Sequence, residues 1–340
     1  MKGKFDYPFV VTKKSPSNIA IIKYWGKHGK QLPNNPSVSF TLSRCYTETK
    51  IKCEYCRENV LDFYFEGKEN AIFRDKINKF LVDNKQYFGF LDGMHLEISS
   101  NNSFPHSSGI ASSASSMSAL VMCLLEIEKT VNHDDTSIDL NKASFLSRLA
   151  SGSASRSVYP VMALWGETPS VIGSSDEFAV SVENMVAPIF KTYHDSILIV
   201  SSKEKSISSR VGHSLMDNHP WAVSRYEKAR HNTEVLIQAL QQGDIDTFIE
   251  IAESEALQLH ELMHTSNPPF DLMMPETMKI IEAVRHYRTC CNIPLCFTLD
   301  AGPNVHLLYP DSVADDVVDF IKKDLVKYCV DNKWIDDIVG

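Results

Sequence analysis

The stretch "PHSSGIASSASSMSALVMCLL", from Pro105, carries a small side chain at nearly every position between Ser107 and Ser116 and then turns abruptly apolar. Small side chains let backbone amides approach an anion closely, and the exposed amides at the start of a helix bind phosphate with help from the helix dipole. Ser112 and Ser113 add hydroxyls that can reach phosphate oxygens or a metal ion. No Gly-Lys-Ser/Thr follows, so this is not a Walker loop. A flexible linker would not lie between a strand pattern and a strongly apolar helix. The segment reads as a phosphate cradle.

Four further segments carry groups suited to the same anionic chemistry. In "SPSNIAIIKYWGKHGKQLP", Lys23, Lys27 and Lys30 bracket the pair Tyr24-Trp25. Lysine runs are usually solvated faces; here they lie in an apolar stretch next to Gly26, which points to inward-facing cations. In "ASGSASRSVYPV", Arg156 follows small residues at the end of a helix, and its planar fork suits a carboxylate or phosphate. "KSISSRVGH" supplies Ser208, Ser209 and Arg210. In "CFTLDAGPNVHLLYP", Asp300 ends a strand and enters a Gly302-Pro303 turn. A carboxylate there either stabilises the turn or serves as a base at the mouth of a cleft.

One motif points elsewhere. "HELMH", residues 260–264, has the His-Glu-x-x-His spacing of a zinc peptidase. Pro268 and Pro269 should stop the helix near Ser266. Asn267 and Phe270 stand where a metzincin extension needs Gly and His, and no third zinc ligand is marked. Phe248, Ala252, Ala256, Leu259 and Met263 form an apolar stripe that accounts for the helix, with His260 and His264 beside or off it. No metal site is assigned from this motif. The eight cysteines include Cys53-x-x-Cys56 and Cys290-Cys291, whose spacing is not that of a zinc ribbon. Free thiols in a reducing, cytoplasmic compartment are the expectation.

The elements that must hold these groups are legible from periodicity. "SVSFTLS", "TETKIKCEY" and "HLEISS" alternate as strands, with helical spacing over "AIFRDKINKFLVDN" between them. Helices are predicted from Ser113, over "NKASFLSRLASG", and within 221–242, 245–264 and 274–288. Strands are predicted over 196–202, "PLCFTLD" and "VHLLYP", with a last helix from about Asp311. At 340 residues, 43% hydrophobic and 23% charged, the chain suits a globular α+β protein of two domains, split into 1–190 and 191–340. No apolar run is long enough to span a membrane and no secretory signal is visible. A net charge of −9 argues against nucleic acid as a partner.

"NIAIIKYWGK", "SSGIASSAS", "SGSASRS" and "FTLDAGPN", in this order, resemble the motifs of the diphosphomevalonate decarboxylases, a branch of the galactokinase, homoserine kinase, mevalonate kinase and phosphomevalonate kinase superfamily. The resemblance runs over nearly the whole chain. It implies a two-domain α+β fold with the active site in the inter-domain cleft, and often a homodimer. The implied reaction uses ATP and Mg2+ to phosphorylate the 3-hydroxyl of 5-diphosphomevalonate; loss of phosphate and carbon dioxide then gives isopentenyl diphosphate. By resemblance, Asp300 is the base or positioner at the 3-hydroxyl and Lys23 its neighbour. Arg156 holds the substrate carboxylate and Asn18 orients that arginine. The segments Tyr24-Trp25-Gly26-Lys27 and Ser151-Gly152-Ser153-Ala154-Ser155-Arg156, with Ser209, Arg210 and Arg74, contact the substrate, chiefly its diphosphate. Ser107, Ser108, Gly109, Ile110, Ala111, Ser112 and Ser113 match the nucleotide loop, Ser113 aimed at the γ-phosphate or its magnesium. Departures from the family pattern include Pro36 for serine and His213 for methionine; none removes a catalytic group. Alternative readings are a phosphomevalonate decarboxylase, a mevalonate 3-kinase, or a non-catalytic metabolite sensor on the same fold.

Overall fold

The computed structural model describes residues 8–105, 110–203 and 207–340. The first half contains, in chain order, β1 (Phe9–Ala20), the short hairpin strands β2 (Lys27–His28) and β3 (Leu32–Pro33), β4 (Ser37–Tyr55), β5 (Val60–Phe65), β6 (Lys68–Glu69), α1 (Ala71–Asp83), β7 (Met94–Asn102), α2 (Ser112–Asn132), α3 (Leu140–Ala150), β8 (Met162–Trp165) and β9 (Ala179–Ser181). These strands, apart from the β2–β3 hairpin, form one sheet in the order β6-β5-β7-β4-β8-β9, with β1 also paired to β4. The two predicted strands "SVSFTLS" and "TETKIKCEY" are one continuous strand, β4. Its β-branched and aromatic residues suit a pleated, half-buried surface along its whole length. Strand β1, beyond those predictions, pairs with nearly all of it and delivers Asn18 at its end.

The junction of the halves falls in the short helix α4 (Pro188–Lys191); the second half then holds β10 (Tyr193–Leu198), α5 (Ser209–Ser214), α6 (Ala222–Gln242), α7 (Ile245–His264), α8 (Pro275–Cys291), β11 (Cys296–Thr298), β12 (Val305–Pro310), α9 (Ala314–Phe320) and β13 (Trp334–Ile338). Its strands pair antiparallel in the order β11-β12-β10-β13. The three predicted helices 221–242, 245–264 and 274–288 are α6, α7 and α8. Strand β10 begins three residues before the predicted 196–202 and stops at Leu198. The fold is α+β with two domains, as the sequence implied. Among the described residues no helix is long and apolar enough to cross a membrane.

Two features tie the halves together. Ile19, Phe40 and Met162 from the first sheet pack in one apolar cluster with Tyr193, Ile197, Leu236 and Phe248 from the second half. Each such side chain, fully buried, contributes about 1.5–3 kcal/mol. In addition, the wholly buried Asp337 of β13 accepts backbone hydrogens from Ser43, Arg44 and Cys45 of β4, at 3.1, 2.8 and 2.6 Å. Val339 and Leu42 then form a β-bridge. A buried carboxylate is costly unless hydrogen-bonded, and these amides meet that need.

Candidate active site

A cleft of about 610 Å³ opens between the two halves. It is walled by the end of β1 and the residues after it, the start of α2, the turn after α3, the start of α5, and the Asp300-Ala301 turn. Asn18, Lys23, Tyr24, Trp25, Lys27, Ser151, Gly152, Ser153, Arg156, Arg210 and Asp300, singled out above, all line it, as do Ile110, Ala111, Ser112 and Ser113.

Lys23 Nζ lies 3.1 Å from Asp300 Oδ1; the lysine is buried and the aspartate side chain keeps 24% exposure. Burial lowers the Lys23 pKa, and the Asp300 charge acts against that fall. An ammonium at this distance favours the ionised carboxylate. The pair is held by a second, deeper one. Glu255 of α7, fully buried, receives the Lys23 backbone N–H at 3.0 Å and pairs with Arg225 of α6 at 2.5 Å. Arg225 and Asn35 in turn donate to the Lys23 carbonyl, each at 3.1 Å, and Asn232 donates to Glu255 at 2.7 Å. The lysine is thus fixed by both of its backbone polar groups.

Arg156 sits in a 3₁₀ turn, Gly152–Val158, and is buried. Asn18 Oδ1 accepts from its Nη2 at 3.2 Å, and Ser37 Oγ accepts from Nη1. Nε is buried and has no protein partner among the described residues. The fork lines the cleft, its carbon 5.8 Å from the Tyr24 ring centre. Burial pushes the guanidinium down to about 10, still charged at neutral pH, and the Tyr24 phenol up to about 12. Four consecutive residues of the turn, Ala154 to Ser157, are buried, so not every residue of the motif reaches the cleft. Ala154 packs in the core, and the fully buried Ser155 donates to the Gly152 carbonyl at 2.8 Å. These two do not line the cleft.

The opposite wall is cationic. Lys27, on the β2–β3 hairpin, donates to Gln31 Oε1 at 2.6 Å. That hairpin is anchored by the buried Arg148 of α3, which donates to the Lys30 carbonyl and pairs with Glu177 at 2.6 Å. Lys76 of α1 also reaches the cleft, and burial together with Arg210 and Lys27 pushes its pKa down to about 8. Sequence reasoning chose Arg74 instead. Arg74 lies on the outer surface, paired with Glu69 at 3.4 Å and Asp75 at 3.2 Å, because two residues along a helix turn a side chain to another face. The helical register, followed from Ile77 and Phe80, both buried, would have placed Lys76 nearer the cleft. The N-terminus of α2 has Ala111 at φ +39° and, among the described residues, no side-chain cap, leaving its first amides for an anion. Ser107, Ser108 and Gly109 lie outside the described residues. Ser209 opens α5 between the cleft residues Ser208 and Arg210. Gly26 lies behind the wall at φ +99°, where a Cβ would fall 2.2 Å from Tyr226 Oη, so only glycine fits.

The HELMH histidines have other partners. His260 is buried, and its Nε2 lies 3.1 Å from the backbone oxygen of Asp300. It does not lie off the buried face, because the Asp300 turn covers it. His264 is exposed and pairs with Asp271 at 3.0 Å. Among the described residues no three His, Cys, Asp or Glu side chains gather as a metal site.

Residues 15–178 match the family model described as the diphosphomevalonate decarboxylase-like N-terminal domain, and residues 196–337 that of the mevalonate 5-diphosphate decarboxylase C-terminal domain. The diphosphomevalonate decarboxylase of Candida albicans is 27% identical over 91% of this chain and 86% of its own length. The structure is similar to that of mevalonate diphosphate decarboxylase from Staphylococcus aureus, with a TM-score of 0.83, 28% identity, and coverage of 98% of this chain and 96% of that one. It is also similar to MDDEF in complex with MVAPP, AMPPCP and magnesium, with a TM-score of 0.81, 26% identity and 98% coverage of each chain.

Proposed function

This chain belongs to the diphosphomevalonate decarboxylase family, and we propose that it converts (R)-5-diphosphomevalonate and ATP to isopentenyl diphosphate, ADP, phosphate and carbon dioxide. The observation that carries this reading is one cleft holding the Lys23–Asp300 ion pair, the Asn18–Arg156 fork and a cationic wall together. Hydroxide leaves a tertiary carbon poorly, so the 3-hydroxyl is phosphorylated first. Asp300 takes or orients the hydroxyl proton, with Lys23 holding the carboxylate in place. Arg156, steadied by Asn18, grips the substrate carboxylate with two parallel hydrogen bonds. As phosphate departs, the carboxylate supplies electrons to the new double bond and leaves as carbon dioxide. Lys27, Arg210 and the α5 start serve the diphosphate, with Tyr24, Ser151 and Ser153 beside them.

The residues present suit ATP. The uncapped α2 amides and Ser113 offer a phosphate seat, and Lys76 stands beside it. An apolar pocket of about 100 Å³ continues from Ser112 and Ser113 between Phe63, Phe65, Phe73 and Met117, which suits the flat base of the nucleotide. Magnesium, when bound, offsets phosphate charge; Ser113 and the nucleotide would hold it, since such ions keep most of their waters. We place the domain division after residue 190, between the end of β9 at Ser181 and the start of β10 at Tyr193. The eight cysteines are free thiols, which supports a cytoplasmic setting. Assembly as a homodimer belongs to the same proposal and is checked by solution mass.

Carbon dioxide release, with ATP and magnesium, on mevalonate, its 5-phosphate and its 5-diphosphate tests the reading. Each charge-assisted hydrogen bond to the second phosphate is worth about 1.5–3 kcal/mol. Two of them give at least about a hundredfold preference in kcat/KM for the diphosphate. Equal values for the two phosphorylated substrates would move the enzyme to phosphomevalonate, and ADP without carbon dioxide would make it a 3-kinase.

A further inference from the structure

His213 is a buried histidine that the reaction scheme leaves unused. Its ring lies between Tyr24 and Trp25, with centroids 4.6 and 4.5 Å away. Gly212 before it permits this: a Cβ there would fall 2.3 Å from the Trp25 ring. The Gly26 backbone N–H donates to His213 Nδ1 at 2.9 Å. An N–H can only donate, so Nδ1 holds a lone pair, and the proton of the neutral ring is on Nε2. An imidazolium would set two N–H groups against each other. No hydrogen bond of Nε2 is found among the described residues, and the ring, 5% exposed, lines the cleft with Lys27 and Arg210.

We propose that His213 is a specificity-determining residue whose Nε2–H, fixed by the Gly26–Nδ1 hydrogen bond, donates to the diphosphate of the substrate. The donor is uncharged, so it adds a directed bond without adding to the repulsion between Lys27 and Arg210. Burial and Lys27 push the ring's pKa down to about 3, which agrees with a neutral imidazole throughout the working range. The inference rests on the reading that this cleft receives a diphosphate, and it names the residue that separates a second phosphate from a single one.

Two variants separate the donor from the packing. His213→Asn keeps an acceptor near Nδ1 for Gly26 and loses the donor at Nε2. His213→Gln carries an amide to the Nε2 position. Calorimetry with inorganic pyrophosphate is expected to show about a tenfold weaker Kd in H213N, a loss of about 1.4 kcal/mol, and partial recovery in H213Q. KM for 5-diphosphomevalonate should rise by a similar factor, and the preference over the monophosphate should shrink. Nitrogen-15 NMR of histidine-labelled wild-type protein should show the proton on Nε2, a readout that survives if either variant misfolds. Equal pyrophosphate affinity of wild type and H213N, or a proton on Nδ1, overturns the proposal. Absence of carbon dioxide release by the wild type would instead overturn the proposed reaction, while pyrophosphate binding and ring protonation still decide the role of His213.

Discussion

At the scale of single residues, Asp300 is the group on which turnover should depend. Asp300→Asn keeps the shape and removes the proton acceptor beside Lys23, so kcat should fall by about 10²–10⁴-fold. Nucleotide affinity, measured separately by fluorescence or calorimetry, should stay near wild type. Near-normal turnover would make Asp300 a turn residue and sink the mechanism. Lys76 sets a pH limit. Its pKa of about 8 means that the cleft loses a cation as the pH rises through that value. KM for ATP should therefore climb above about pH 8, and Lys76→Met should flatten the profile. The stability sign is opposite: the unfolded chain keeps this proton up to 10.5, so the same group favours the folded state increasingly between about 8 and 10.5. A thermal melt across that range separates lost affinity from unfolding.

The elements explain why those residues stand where they do. Helices α6 and α7 meet at the Arg225–Glu255 pair, and that pair grips the backbone on both sides of the Lys23 side chain. Removing one partner of a buried pair costs about 3–5 kcal/mol because the other is left uncompensated. Glu255→Gln should lower Tm and, in protein still folded at lower temperature, reduce kcat more than it changes KM. Unchanged kcat would show that Lys23 keeps its place without the carboxylate. This arrangement was not legible in the sequence. Glu255, in "IAESEALQLH", reads as a solvated carboxylate on an amphipathic helix; only the packing of α6 on α7 buries it. The burial of His260 is illegible for the same reason, since the Asp300 turn that covers it is 40 residues away. Lys23, Arg156 and Asp300 are legible because each sits in a short segment whose composition is odd for its surroundings, whereas Asn18 is named only by the family resemblance. Ala154 and Ser155 were over-read, because a motif says nothing about which side of a 3₁₀ turn a residue occupies.

At the scale of the whole molecule, the apolar cluster shared by both sheets makes the halves interdependent. Domains joined by small, polar interfaces move and melt separately; here Phe40, Tyr193 and Phe248 pack in a single cluster. Calorimetry should therefore show one cooperative transition, and two resolved peaks would count against a shared core. The alternation of β4 and the periods of α6, α7 and α8 made the element types readable, whereas the pairing of β1 with β4 and of Val339 with Leu42 is non-local and left no trace in any short window. The carboxylate of Asp337 has a consequence for the order in which the molecule can be made. The amides of Ser43, Arg44 and Cys45 wait for a partner 292 to 294 residues further along the chain. At roughly 5–20 residues per second, a ribosome needs roughly 15–60 s to supply it. For that interval the nascent first half holds three backbone amides of its central strand without their native acceptor, and its final form is postponed until synthesis has passed residue 337.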